Sequence, residues 1–103
     1  MKYVESLEQF KNEVLGSKED SLVSFWASWC SPCEMMKEEV ETLAADLEGT
    51  MPVYSIDIDD HKDIALHLDV QGVPTLIYFK KGKERDRISG YKKAAVVKKL
   101  LKL

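Results

Sequence analysis

Residues 22–27, Leu-Val-Ser-Phe-Trp-Ala, are apolar on both alternating faces except at Ser24. They run directly into Trp29-Cys30-Ser31-Pro32-Cys33 and then into a long helical pattern. A strand without a polar face has to sit centrally in its sheet, with helices covering it on each side. This requirement predicts an α/β layer architecture and places the chain's only two cysteines at the end of a central strand, where a helix begins.

The flanking pattern agrees. Ser6-Leu7-Glu8-Gln9 is a capping box opening a helix that turns Leu7, Phe10 and Val14 inward and stops at Gly16. A second helix is predicted over residues 32–48, with Met36, Val40, Leu43, Ala44 and Leu47 inward, Glu38, Glu39 and Glu41 on its solvated face, and Gly49 ending it. Residues 52–58 read as a parallel strand, followed by a short helix capped by Asp59 or Asp60 that buries Ile64, Ala65 and Leu68. Residues 75–80 form another apolar strand, which Lys81-Gly82 turns back into a polar edge strand over 83–89. Residues 92–103 close the chain as an amphipathic covering helix with Ala94, Val97, Leu100 and Leu101 facing inward.

No linker, repeat or low-complexity stretch interrupts this alternation, so residues 1–103 are expected to form a single domain. A 103-residue chain with 45% hydrophobic content buries about two-thirds of its unfolded surface without needing staples. Fifteen Lys and Arg against eighteen Asp and Glu leave a net charge of -3. The final helix holds the one basic concentration, which argues against a nucleic-acid partner. Neither a secretory h-region after Met1 nor an apolar run near membrane-spanning length is present in the given sequence. The expectation is a cytoplasmic protein with no membrane partner, acting as a monomer.

The spacing of the cysteines points to redox chemistry. Two intervening residues place both sulfurs on one side of a first helical turn, close enough to join, and the helix N-terminus favours a thiolate there. Cys30 is the expected nucleophile and Cys33 the resolving thiol. Three other readings compete. A structural disulfide closing so small a ring would remove little chain entropy. Inert buried thiols would have no chemical role. Zinc could use Cys30, Cys33, His61 and His67, but the 27 residues at 34–60 separating Cys33 from His61 hold most of a helix and a whole strand. Asp57, Asp59 and Asp60 are better explained by a strand end and a helix cap than as metal ligands. No metal is expected.

The combination of Phe25-Trp26-Ala27, Trp29-Cys30-x-Pro32-Cys33, Ile58-Asp59, Gly72-Val73-Pro74-Thr75, Gly82 and Gly90 resembles the thioredoxin family over essentially the whole chain. The resemblance implies a thioredoxin fold, with a mixed central sheet of four to five strands flanked by helices on both faces. It also implies a cis Val73-Pro74 peptide, which X-Pro bonds permit at about 1 kcal/mol or less. Substrate would dock against Trp29, Ser31, Pro32, Val73, Pro74 and Gly90, with the Val73 backbone pairing to an extended segment. The implied activity is reduction of protein disulfides without a bound cofactor. A reductase, either a flavoprotein drawing on NADPH or a ferredoxin-linked enzyme, would restore the dithiol.

Several positions depart from the family pattern. Ser31 stands in place of the usual glycine, Glu34 in place of a basic residue, and Glu38 in place of a kinking proline, which predicts a straighter helix. Ser24 and Ser55 replace a buried aspartate and its lysine partner. Their joint loss avoids stranding one buried charge, which would cost about 3 to 5 kcal/mol. The two hydroxyls are expected to hydrogen-bond each other or a water, but neither can deprotonate Cys33 near neutral pH. Alongside the reductant, two alternatives remain: a thiol oxidant or disulfide isomerase, and a protein-binding module whose redox activity is incidental.

Overall fold

β2 (Ser21–Trp26) occupies the middle of a five-stranded sheet ordered β1-β3-β2-β4-β5, as its two apolar faces require. The computed structural model describes residues 1–103. β1 (Lys2–Tyr3) and β3 (Val53–Asp57) run parallel to each other and to β2, whereas β4 (Thr75–Lys80) is antiparallel to β2 and to β5 (Lys83–Ser89). The sheet is therefore mixed, with its two most apolar strands, β2 and β4, side by side.

Alternation along β2 sorts the core into two layers. Leu22 packs with Met36, Val40 and Leu43 of α2 (Ser31–Asp46) and with Val97 and Leu101 of α4 (Ala94–Leu101). On the opposite face, Val23 and Phe25 pack with Phe10 of α1 (Leu7–Phe10) and Ile64 of α3 (Lys62–His67). Ser24 lies between these positions on the α2 side, opposite Ser55 of β3 and Leu76 of β4.

Several expected boundaries shift for identifiable reasons. The first helix does end at Gly16, but over Lys11–Leu15 it widens into a π-helical turn, and the Gly16 N–H reaches the Lys11 carbonyl at 2.7 Å. Phe10 and Val14 remain fully buried across the change of pitch. α2 stops at Asp46 rather than residue 48, because the Thr50 and Met51 N–H groups both fold back onto the Leu47 carbonyl. Neither Asp59 nor Asp60 caps α3. The Asp57 carboxylate instead accepts the Asp59 N–H at 2.9 Å, and the helix starts after His61, whose side chain makes no capping bond. Leu68 follows the last turn of α3 and is half-buried.

α4 is shorter than residues 92–103, and Leu100 is not part of its inward face: it is 50% exposed, while Ala94, Val97 and Leu101 are buried. Lys102 adopts a left-handed conformation, after which Leu103 turns back onto the core. Glu39 is not simply solvated either. Its carboxylate accepts the Ala94 N–H at 2.9 Å and the Tyr91 hydroxyl at 3.4 Å, serving the start of α4 where Lys93 provides no side-chain cap.

The β4–β5 hairpin turns at Lys81 and Gly82, both with positive φ, as a two-residue connection of this twist requires. Gly82 is also sterically obligatory, since a Cβ there would collide with the Leu15 carbonyl oxygen. The hairpin thereby rests directly on the end of the first helix.

Candidate active site

Cys30 ends the loop after β2 and is the N-cap residue of α2, with extended backbone at φ -100 and ψ 108. Its sulfur accepts the Cys33 N–H at 3.2 Å, taking the place a Ser or Asp oxygen would hold at such a cap. Pro32 fits the first turn because its missing N–H would have no intrahelical partner. The two sulfurs are bonded to each other, with the Cα atoms 5.2 Å apart. Each cysteine is 5% exposed, while Ser31 and Pro32 between them are open to solvent.

The two thiol positions face different surroundings. Cys30 Sγ lies 3.6 Å from the carbonyl oxygen of Val73, and the Val73-Pro74 peptide is cis. The Pro74 carbonyl accepts the Gly90 N–H at 2.8 Å, and Gly90 takes φ +88, a conformation that L side chains rarely adopt. Cys30, Val73, Pro74 and Gly90 are thus brought together from three separate parts of the chain. Trp29 is 68% exposed, with its indole N–H donated to Asp59 Oδ2 at 2.8 Å.

Cys33 borders a cavity of about 320 Å3 that Ser24, Ser55, Trp26, Glu34 and Lys37 also line. The two serines do not bond each other, one of the two arrangements expected for their hydroxyls. Trp26 follows Ser24 by two positions on the same face of β2, and its indole N–H donates to Ser55 Oγ at 2.7 Å. Both serines are nearly closed off from solvent.

Three contributors to this geometry were not given their roles by sequence reasoning. Asp59 anchors Trp29, although in the sequence it reads as a helix cap. Glu39 ties the segment after Gly90 to α2, and burial together with the nearby carboxylate raises the Tyr91 phenol above its ordinary value. Arg87 donates to the Leu68 and Asp69 carbonyls at 2.8 and 3.3 Å, bracing the approach to the Val73-Pro74 loop from β5. The hydrogen bonds it donates to the Glu84 carboxylate are the main reason its guanidinium pKa is raised. Acidic and basic residues on an exposed helix or edge strand carry no local mark of such contacts. His67 is exposed and His61 half-buried, and no three His, Cys, Asp or Glu side chains converge as a metal-binding group.

The thioredoxin family model matches residues 2–102. The chain belongs to the thioredoxin family. Thioredoxin of Staphylococcus aureus strain Mu50 is 43% identical over 70 residues, covering 68% of this chain and 67% of that relative, and the strain MW2 protein gives the same figures. The solved thioredoxin of Malassezia sympodialis superposes with a TM-score of 0.85 at 27% identity, over 99% of this chain and 88% of its own. The protein is a thiol-disulfide oxidoreductase of the thioredoxin type, and the Cys30–Cys33 pair is its redox centre. As for thioredoxins in general, its partners are disulfide-containing proteins and a reductase. None of its helices is long and apolar enough to cross a membrane.

Proposed function

We propose that Cys30 is the attacking thiolate and Cys33 the resolving thiol of a cytoplasmic, monomeric, single-domain reductant. The observation that carries this reading is the position of Cys30 Sγ at the N-cap of α2, where it already accepts a backbone N–H. A helix N-terminus and a donated hydrogen bond both favour the ionised sulfur.

In the forward reaction the Cys30 thiolate attacks one sulfur of a substrate disulfide. A Cys30–substrate bond forms and the other substrate sulfur leaves as a thiolate. The Cys33 thiolate then attacks Cys30 Sγ, the Cys30–Cys33 bond forms, and the second substrate sulfur leaves with its electron pair. Two electrons reach the substrate, and an NADPH- or ferredoxin-linked reductase returns two to the protein. Substrate backbone docks at Val73 beside Pro74 and Gly90, flanked by Trp29, Ser31 and Pro32. The exposure of Trp29, Ser31 and Pro32 and the nearness of Val73 to Cys30 support that placement.

Insulin reduction with NADPH and a thioredoxin reductase, followed by equilibration against glutathione, tests the direction of flow. Turnover with a potential near about -270 mV is expected, whereas a value near about -180 mV would mark an oxidant or isomerase instead. Cys33→Ser should trap substrate on Cys30; adducts found elsewhere would reverse the assignment.

A further inference from the structure

With Cys30 attacking a substrate docked at Val73 beside Gly90, the reading on which this inference rests, the substrate's side chains pass between two loops of opposite charge. β3 runs parallel to β2, and β5 returns alongside the antiparallel β4, so the segments after β3 and after β5 both lie at the end of the sheet that carries the cysteines. They flank Cys30 from opposite sides, because β3 and β5 stand on opposite sides of β2. Residues 57–63 hold Asp57, Asp59, Asp60 and Asp63 against Lys62, whereas residues 90–93 hold Lys92 and Lys93 with no acid.

Lys92 is the cation set against the groove. A Cβ on Gly90 would lie 3.9 Å from Lys92 Nζ, so the ammonium stands beside the space that a side chain at Gly90 would enter. Gly90 in turn donates its N–H to Pro74, one residue after Val73. The main chain at Lys92 is held, since its N–H donates to Sδ of the buried Met36 at 3.5 Å and Glu39 accepts the Ala94 N–H two residues on. Lys92 is half-buried and takes part in neither of the chain's ion pairs, Arg87–Glu84 and Lys98–Asp46. A compact cation with three donors, anchored at its root and without a carboxylate of its own, is complementary to a carboxylate arriving on substrate. On the opposite flank Asp59 accepts the Trp29 indole N–H, which fixes negative charge beside that edge of the groove. The two flanks therefore act in the same direction, drawing an acidic side chain toward Gly90.

We propose that Lys92 is a specificity-determining residue, selecting protein disulfides that carry an Asp or Glu side chain next to the cysteine attacked by Cys30. The ammonium pairs with that carboxylate as substrate docks and in the mixed disulfide, which speeds capture and leaves the thiol exchange itself unaltered. A pair at the rim of a groove gives about a three- to fivefold preference.

The capture step is isolated in Cys33→Ser with short peptides whose single cysteine is blocked as a pyridyl disulfide, because attack by Cys30 on the peptide sulfur releases an ultraviolet-absorbing thiopyridone. The peptides differ only in Glu, Gln or Lys at the residue before the cysteine, or after it in a second set. At neutral pH and low ionic strength the Glu peptide of at least one set should react about three- to fivefold faster than its Gln counterpart, and the Lys peptide more slowly. Lys92→Gln should erase that order, Lys92→Arg should keep it and Lys92→Glu should invert it. Lys99→Gln, which removes the same charge from the exposed side of α4, should keep it. Equal rates for all three peptides in both sets, an order that survives Lys92→Gln, or its loss in Lys99→Gln overturns the proposal. Scaled to their rates with glutathione, the Gln peptides should outpace the pyridyl disulfide of mercaptoethanol, which has no backbone to dock; if neither does, the docking itself is overturned and the proposal with it. Faster release by Cys30→Ser than by Cys33→Ser would instead overturn the assignment of Cys30 as the attacking thiol.

Discussion

On the side of the sheet covered by α1 and α3, Phe10, Phe25, Ile77 and Phe79 are at most 1% exposed, and Phe10 meets Phe79 edge-on with ring centroids 5.9 Å apart. On the opposite side, at the end nearest the cysteines, the same strands present Ser24 and Ser55 and border a cavity of about 320 Å3. Two faces of one sheet thus differ in packing within a few residues of each other. Close packing of large side chains supplies transfer energy and dispersion contacts on the first face, as it does farther along the second, where 13 buried residues cluster beneath α2 and α4. The second gives up such contacts around Cys33, the thiol whose proton and sulfur must both move.

Substitutions on the two faces should separate activity from stability. The largest effect is expected for Cys30→Ser, which should lower insulin reduction by at least about a thousandfold, because no other nucleophile starts the sequence. Its folded far-ultraviolet spectrum should persist; substantial remaining turnover would place the chemistry elsewhere. Phe79→Ala removes a fully buried ring from the opposite face and should cost about 3 to 5 kcal/mol in urea unfolding. A loss below about 1 kcal/mol would mean that this face is not the tightly packed one.

Glu39→Ala leaves the Ala94 N–H and the Tyr91 hydroxyl without their acceptor and should cost about 1.5 to 3 kcal/mol by the same measurement. Ser55→Ala removes the acceptor of the Trp26 indole, but the neighbouring cavity is wide enough for water to replace it. A cost of about 1 kcal/mol or less is expected, with altered tryptophan fluorescence. A loss comparable to Phe79→Ala would show that this corner is as rigidly packed as the aromatic face.

The smallest effect concerns alkaline pH. Burial, and then the hydrogen bond to Asp20, raise the Tyr78 phenol above 10.0. The unfolded chain therefore releases that proton first as pH rises. The associated stability is fully present below about pH 10 and is lost as pH climbs through the folded value. Tyr54 shifts the same way, through burial and then Glu13. Tyr78→Phe should flatten the alkaline decline in unfolding free energy; an unchanged slope assigns it to other groups.

Much of this arrangement was legible in the sequence because its cause is local. The apolar run of β2, the capping bond that Ser6 Oγ accepts from the Gln9 N–H and the Lys81-Gly82 turn each depend on neighbouring residues, and each stands where the pattern predicts. The cysteine spacing likewise set both sulfurs on one helical turn. Misreadings arose where a side chain had more than one polar partner within reach. Asp59 could cap a helix or hold an indole, and Trp29 lies thirty positions earlier in the chain. Glu39 has the appearance of a solvated helix face until α4 packs against it. Leu100 belongs to the apolar composition of α4, but the core it would join already has Val97 and Leu101 in place.

Sequence by itself determined the strand and helix alternation, the central place of β2 and the identity of the redox pair, because periodicity, capping and a two-residue spacing act over a few bonds. Only the tertiary structure decided that Cys30 faces Val73 while Cys33 borders a cavity, and that Ser55 bonds Trp26 rather than Ser24. Those outcomes depend on the registry of β2 against β3 and on loops closing from distant parts of the chain, where many side chains compete for the same few partners.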